Sequence, residues 1–324
     1  MKPAANRMVV TLPWWVLAPL RVAFQLVGRL YPPAAVYAFK WLLSHMPRKK
    51  LSARDRDFLR GGHRLDFDCG DAVLAGYSFG AGPTVLLVHG LQGSAANFHA
   101  LAPALARRGY RAVVFDAIGH GNSPDGAAFS PRTIGHLRQV MAQLAQPAPP
   151  VQPLQPTPST PSAPPAQPAP LHAVISHSAG AYLTMLALCD PPPGVGVERC
   201  VYLAPYPDIA TTLRTFTDYL RVPRAVTPAL QRWFEAIGGV PFAQQSMAYC
   251  LPRHRTPAAP PCLFIHDAHD RHIALDRTRD TLEALAGVVD ARLRVTTDLG
   301  HFRILGDPGV IAEIVDFIQP TSER

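Results

Sequence analysis

The stretch from residue 174 to residue 188 constrains the fold of this chain more than any other. Residues 174–180 read Val-Ile-Ser-His-Ser-Ala-Gly, and residues 181–188 continue with the apolar pattern of a helix. Where a strand turns directly into a helix at a serine, the hydroxyl stands clear of its own backbone, and the positions two before and two after must stay small. Gly180 meets that condition, and Ser176 is a small substitute for the usual glycine. The pattern makes Ser178 a candidate nucleophile.

A different register of the same turn fits less well. With Ser176 at the turn, Val174 would take a flanking position, where a stiff β-branched side chain is a poor fit. A strand followed by a helix with Ser178 as its N-cap is a purely structural alternative. These residues alone leave the nucleophile and the cap both open.

A serine hydroxyl is a weak nucleophile at neutral pH, so Ser178 needs a base, an acid that orients the base, and donors for an oxyanion. Residues 83–88 have the pattern of a buried strand and are closely followed by Gly90. A glycine just beyond a strand lets backbone N–H groups turn inward. The N–H groups of Leu91 and Ala179 are therefore the candidate oxyanion donors.

The base and the acid have candidates nearer the C-terminus. Apolar residues 261–266 precede a loop with Asp267 and Asp270, and the strand pattern of residues 291–296 precedes His301. The chain order is thus serine, acid, histidine, with each group just past the end of a strand. An open parallel sheet presents its ligand crevice at that edge. We therefore expect the three groups to lie together.

These motifs together resemble the α/β-hydrolase family from about residue 65 to residue 317, apart from the N-terminal segment and one insertion. Five motifs stand in family order: His89-Gly90 after the third strand, residues 116–123 after the fourth, the serine turn after the fifth, Asp270 after the seventh and Gly300-His301 after the eighth. The resemblance implies an α/β fold, in which a mostly parallel central sheet has helices on both faces and a short helical lid.

The resemblance also implies roles for the predicted site residues. Ser178 would be the nucleophile, His301 the general base and then the general acid, and Asp270 the group that orients His301. The family places its acid about three residues beyond the position of Asp267, which leaves Asp267 to shape the turn. No cofactor is implied.

Residues 205–259 contain a helical insertion at the position where this family commonly has a lid over its pocket. Large apolar side chains in such a lid favour a substrate with an apolar acyl or alcohol group. The insertion has four of them: Phe216, Tyr219, Trp233 and Phe242.

Composition bounds the remaining interpretations. The five cysteines are odd in number and lack Cys-x-x-Cys spacing, which indicates a reducing compartment and no metal site. His266, His269 and His272 would share one face only on a helix, and they follow a strand, so loop packing explains them better than a metal. The net charge of +8 comes without a nucleic-acid recognition motif, so anionic lipid is the better partner for it.

Residues 1–50 are predicted to form an amphipathic helical segment ahead of a hydrolase domain at residues 51–324. Arg21, Gln25 and Arg29 interrupt the run of about 20 apolar residues that a spanning helix needs. We expect the apolar side of the helix opposite them, formed by Leu17, Leu20, Phe24 and Val27. The segment would either bind a membrane surface or cover the hydrolase body. We expect a cytoplasmic protein, peripheral on the inner face of a membrane if the segment binds lipid.

Residues 147–170 are rich in proline, with Gln, Ser, Thr and Ala, and have almost no large apolar side chains to bury. Such a composition predicts a disordered insertion within the domain. A proline-rich partner motif is the alternative, and the lack of a basic anchor beside the prolines makes it the weaker one.

The sequence thus predicts a serine hydrolase that cleaves a small-molecule carboxylic ester through an acyl-enzyme intermediate. Thioester hydrolysis and acyl transfer would use the same three side chains and stay open. A catalytically silent scaffold of this fold, making membrane or protein contacts, is the alternative from a different class. A scaffold has no need to keep Ser178, Asp270 and His301.

Overall fold

An eight-stranded β-sheet forms the centre of the protein, in a computed structural model that describes residues 13–146, 169–254 and 259–319. The strands are β1 (His63–Asp68), β2 (Val73–Phe79), β3 (Thr84–Val88), β4 (Arg111–Phe115), β5 (Ala173–His177), β6 (Cys200–Leu203), β7 (Cys262–Asp267) and β8 (Ala291–Thr296). Their spatial order is β1-β2-β4-β3-β5-β6-β7-β8. β2 is antiparallel to both of its neighbours, and the other neighbouring strands of this sheet are parallel.

The register of the parallel strands brings their carboxyl ends to one edge. Val88 of β3 pairs with Ser176 of β5, and His177 of β5 pairs with Leu203 of β6. Leu203 in turn pairs with Ile265 of β7. The loops that follow these strands therefore lie side by side, as the predicted site requires.

Helices cover both faces of the sheet. They are α1 (Trp14–Leu30), α2 (Pro32–Ser44), α3 (Ala53–Arg60), α4 (Leu101–Arg107), α5 (Pro131–Ala145), α6 (Ala179–Cys189), α7 (Ile209–Leu220), α8 (Thr227–Gly238), α9 (Met247–Cys250), α10 (Leu275–Leu285), α11 (Gly300–Arg303) and α12 (Pro308–Ile318). Successive side chains of β5 enter different cores: Val174 packs with α5 and α6, and Ile175 with α4 and α12. The predicted α/β-hydrolase fold is confirmed.

In the described part of the predicted lid region, the α-helices α7, α8 and α9 lie between β6 and β7. Phe216 of α7 and Phe234 of α8 are buried in the same core as α5 and α6. The N-terminal helices α1 and α2 pack against this region, α1 on α7 and α2 on α8. Phe24 and Phe39 enter the same core, so α1 and α2 cover part of the hydrolase body.

The predicted division of α1 into faces is wrong at Arg21 and Val27. Arg21 lies on the inner side with Leu20 and Phe24, where its Nε donates to the Tyr219 carbonyl at 2.7 Å, whereas Val27 is exposed. The physical reason is helix geometry, because a residue four positions on is displaced by only about 40° around the axis. Arg21 is therefore a neighbour of the apolar row rather than its opposite.

The proline-rich residues 147–168 lie outside the described residues, so the prediction made for residues 147–170 stays a prediction. Beside this gap, the Ala169 N–H donates to the Ala145 carbonyl at 2.9 Å. The chain thus resumes next to the end of α5 before it enters β5. Within the described ranges, no helix is both long enough and apolar enough to cross a membrane.

Candidate active site

Ser178 occupies a sharp turn between β5 and α6. Its φ of 55° and ψ of −123° belong to a left-handed region that favours glycine. A Cβ at Gly180 would lie 2.5 Å from the His89 carbonyl oxygen, and one at Gly90 would lie 2.9 Å from Ser178 Cβ. The two glycines are therefore needed for the close packing that holds this turn. Ser176, by contrast, is fully buried within β5.

Ser178, His301 and Asp270 form one hydrogen-bonded chain. Ser178 Oγ lies 2.9 Å from Nε2 of His301, and Nδ1 of His301 lies 2.7 Å from Oδ2 of Asp270. With its proton on Nδ1, His301 donates to the carboxylate and accepts from the hydroxyl. The side chains of His301 and Asp270 are 1% and 0% exposed, so bulk water does not compete for their bond. The arrangement allows a proton to pass from Ser178 to His301.

Asp270 is held as a carboxylate. Its Oδ1 accepts from the backbone N–H groups of His272 and Ile273 at 2.7 and 3.1 Å. Burial alone would raise the pKa of Asp270, but the hydrogen bonds from His266 and His301 outweigh it, and the pKa is lowered. Asp270 is therefore negative at neutral pH and can stabilise a positive charge on His301.

Asp267 is also buried but has different partners. Its Oδ1 accepts from the His269 N–H at 2.9 Å, and its Oδ2 accepts from the Thr296 hydroxyl and the Leu299 N–H, both at 2.9 Å. These bonds join the loop after β7 to the loop after β8, which carries His301. The geometry agrees with the turn-shaping role predicted for Asp267.

The loop after β3 brings Leu91 next to Ser178. Leu91 and Ala179 both line the cavity that contains Ser178, which is where the predicted oxyanion donors would have to be. The neighbouring Gln92 N–H donates to Nε2 of His120 at 3.1 Å. This bond ties the loop after β3 to the loop after β4, which carries His120.

Four buried histidines are neutral at physiological pH. Burial is the main cause that lowers the pKa of His89, His120 and His254 to about 4 and that of His177 to about 3. From Nε2, His177 donates to the backbone carbonyl of His301 at 2.9 Å. His177 thereby positions the backbone of His301. Sequence reasoning missed this role, because the only feature of His177 in the sequence is its position directly before Ser178.

Asp116, just after β4, holds two loops together. Its carboxylate accepts from the N–H groups of Ala95 and Asn122 at 2.6 and 2.8 Å. Burial raises the pKa of Asp116 despite these bonds. A Cβ at Gly121 would lie 2.1 Å from the Asp116 carboxyl carbon, so the motif at residues 116–123 needs its glycine for packing.

An apolar cavity adjoins Ser178. Aliphatic and aromatic side chains form most of its wall, among them Leu43, Phe129, Tyr182, Ile209, Phe216 and Phe234. Of the four lid side chains considered from the sequence, Phe216 lines the cavity. Leu43, Phe129 and Tyr182 were not anticipated, because they come from α2, the loop before α5, and α6, and no local pattern links those elements to the pocket.

The histidines of the acid loop face different partners. His266 Nδ1 lies 2.8 Å from the Thr278 hydroxyl, whereas the His272 ring packs against the His301 ring at 4.9 Å. Among the residues that the structure describes, no cluster of side chains has the makeup of a metal site. These contacts pack His266 and His272 against neighbouring residues of the fold.

The fold and the site together define a class of protein. A serine at the turn after the fifth strand, with an acid and a histidine after the seventh and eighth, is the arrangement of α/β-hydrolases. Residues 85–314 match the alpha/beta hydrolase family, and the chain belongs to that family. No curated protein matches its sequence.

Solved structures share the fold at low sequence identity. An esterase from Pyrococcus furiosus has a TM-score of 0.58 and 17% identity over 85% of this chain and 97% of that chain. A thermophilic esterase from Thermogutta terrifontis, with propionate bound, has a TM-score of 0.56 and 12% identity over 80% of this chain and 94% of that chain. A bromoperoxidase from Bacillus anthracis has a TM-score of 0.54 and 16% identity over 79% and 99%. The similarity is one of fold, and this fold hosts more than one chemistry.

Proposed function

We propose that the protein is a serine hydrolase that cleaves carboxylic esters with an apolar acyl or alcohol group. The observation that carries the proposal is the hydrogen-bonded chain of Ser178, His301 and Asp270 at the wall of an apolar cavity. Membership of the alpha/beta hydrolase family supports a hydrolase. Two of the three structural neighbours reported above are described as esterases, which supports the ester as the bond cleaved.

The first half of the proposed reaction forms an acyl-enzyme. Ser178 Oγ attacks the ester carbonyl carbon while Nε2 of His301 takes the hydroxyl proton, and Asp270 stabilises the imidazolium. The carbonyl oxygen becomes an oxyanion, which accepts hydrogen bonds from the N–H groups of Leu91 and Ala179. His301 then gives its proton to the leaving oxygen, and the alcohol departs.

The second half hydrolyses the acyl-enzyme with the same groups. His301 takes a proton from water as the water oxygen attacks the acyl carbon. Collapse of the second tetrahedral intermediate breaks the bond to Ser178 Oγ, returns the proton to that oxygen and releases the carboxylic acid. Asp270 stays ionised throughout, because its pKa is lowered by the bonds that it accepts.

The cavity supports a substrate with an apolar group next to the reacting ester. The rings of Phe129 and Phe234 lie 5.7 Å apart and form part of the wall. An apolar wall of this kind binds a hydrocarbon group and gives a charged one no partner.

Covalent labelling with a fluorophosphonate tests the proposal. We expect one adduct on Ser178, its loss in Ser178→Ala, and its retention in the matched control Ser176→Ala. An adduct that disappears in Ser176→Ala alone would move the nucleophile to that residue. A folded wild-type protein without any adduct would instead favour a silent scaffold.

The class of ester is tested separately with matched substrates. We expect a higher kcat/KM for an apolar carboxylic ester than for the thioester of the same acyl group, and hydrolysis rather than transfer when an alcohol is present. A preference for the thioester, or transfer to the alcohol, would change the substrate class but leave the roles of Ser178, His301 and Asp270.

A further inference from the structure

The N-terminal helices present an apolar outer face. Nine of the twelve large apolar side chains that are exposed in the described residues lie on α1, on α2 or at the joint between them. They are Trp14, Trp15, Val22, Leu26, Val27, Leu30, Tyr31, Tyr37 and Trp41. Exposed apolar surface concentrated in this way marks an interaction site rather than ordinary surface. This set of nine is called the outer face below.

Three side chains of the outer face, Trp15, Val22 and Leu26, lie on the opposite side of α1 from the one that packs on the lid. Positions 15, 22 and 26 fall within about 40° of one another around the helix axis. The inner side carries Phe24 and Gly28, which are buried against the body. Both sides of α1 are thus apolar, and only the inner one is accounted for by the fold.

The charge of the N-terminal region points to an anionic partner. Residues 1–50 hold eight of the 31 Lys and Arg residues and none of the 23 Asp and Glu residues, so the remaining chain carries 23 of each. The net charge of +8 therefore resides in this region. Arg29 is exposed within α1, and Lys49 and Lys50 are exposed shortly after α2.

We propose that the outer face docks on an anionic lipid bilayer. Trp and Tyr are the side chains that favour the boundary between headgroups and hydrocarbon, and Leu and Val enter the hydrocarbon edge. The exposed cations Arg29, Lys49 and Lys50 complement anionic headgroups, and residues 1–50 hold no carboxylate. A second copy of the chain would cover the apolar surface equally well, but it would bring a second Arg29 to the same interface.

Docking would also place the candidate active site beside the bilayer. Tyr37 and Trp41 of α2 face outward, whereas Leu43 of the same helix lines the cavity that contains Ser178. One helix thus separates the lipid surface from the cavity. The docking does not require the proposed hydrolase activity, although it would bring apolar esters close to Ser178.

Vesicle flotation of the full-length protein tests the docking. We expect at least about tenfold tighter binding to phosphatidylcholine vesicles that contain phosphatidylglycerol than to phosphatidylcholine alone, and release at high salt. The combined variant Trp15→Gln, Leu26→Gln and Tyr37→Gln should lose at least about tenfold in binding. The matched control Val73→Ser with Val288→Ser removes exposed apolar side chains elsewhere and should bind like the wild type.

A second pair of variants tests the role of charge. Lys49→Gln with Lys50→Gln should weaken binding to the anionic vesicles, whereas Arg107→Gln with Arg108→Gln, on exposed positions of the body, should not. Thermal unfolding shows whether every variant is folded, and Ser178→Ala should float like the wild type whatever its activity. Equal binding to both vesicle types, no binding by the wild type, or a wild-type dimer in sedimentation that the three Gln substitutions dissociate would overturn the proposal.

Discussion

Replacing Asp270 by asparagine should remove most of the turnover, because neither orientation of the amide suits the site. If the amide oxygen faces His301, the NH₂ group meets the N–H groups of His272 and Ile273, which already point at this side chain at 2.7 and 3.1 Å. If the amide is reversed, the NH₂ group faces Nδ1 of His301 and drives the imidazole to the wrong tautomer. In that tautomer Nε2 carries the proton and cannot accept one from Ser178.

The expected magnitude follows from the bond that is lost. The same substitution in a well-studied Ser-His-Asp triad lowers turnover by about 10⁴-fold, or about 5.5 kcal/mol in the transition state. Here the His301 to Asp270 bond is 2.7 Å long and shielded from water, so a loss of that order applies. The unsatisfied donors should also cost about 1–3 kcal/mol of folding stability.

Asp267→Asn is the matched control, since it makes the same isosteric change at a buried carboxylate three positions away. It loses acceptors for Leu299 and Thr296 but none for His301, so we expect lower stability with kcat within about tenfold of the wild type. The measurement is kcat on a soluble p-nitrophenyl ester, beside urea unfolding of each variant. Similar losses of kcat in the two variants, at equal folded fraction, would refute the assignment of Asp270.

Three other perturbations have expected outcomes. The four neutral buried histidines have pKa values of about 3 to 4, so lowering the pH from about 6.5 towards 4.5 protonates them only in the unfolded chain. We therefore expect the free energy of unfolding to fall over this range, although the raised pKa of Asp116 acts in the opposite direction. Chemical unfolding across that pH range checks this, and a constant free energy would contradict it. Phe234→Ala should enlarge the cavity and shift the preferred acyl chain to greater length in a kcat/KM series, whereas Phe242→Ala, outside the cavity wall, should not. Gly180→Ala should destabilise strongly because the new Cβ would meet backbone 2.5 Å away, while Gly135→Ala, with open space around it, should raise the melting temperature.

The part of the site that the sequence predicted depends on strand ends. Asp270 and His301 are 31 residues apart, yet both follow parallel strands, and such strands deliver their loops to one edge of the sheet. Gly180 and Gly90 could be found because the close approach of two backbones admits no other residue. The prediction needed only local patterns and their order along the chain.

The cavity wall could not be predicted in the same way. Leu43 and Phe129 come from different elements, and their meeting depends on how α2 and the loop before α5 pack over the lid. Contacts of this kind are set by side-chain packing between elements that are distant in the chain. Such packing has no characteristic residue spacing by which the sequence could predict it. The position of Arg21 on α1 was mispredicted for a related reason. Its hydrogen-bond acceptor, the Tyr219 carbonyl, lies on another helix.

The hydrogen bond from Ala169 to Ala145 brings together the described residues on either side of the proline-rich insertion. Because the chain resumes beside the point where α5 ends, the spacing between α5 and β5 does not depend on how many residues separate them. Closing a longer loop costs only about 0.6 kcal/mol for each doubling of its length. The number of residues between α5 and β5 can therefore change at little cost in folding free energy. A whole reporter domain could be inserted there while β5, the strand that leads to Ser178, keeps its register.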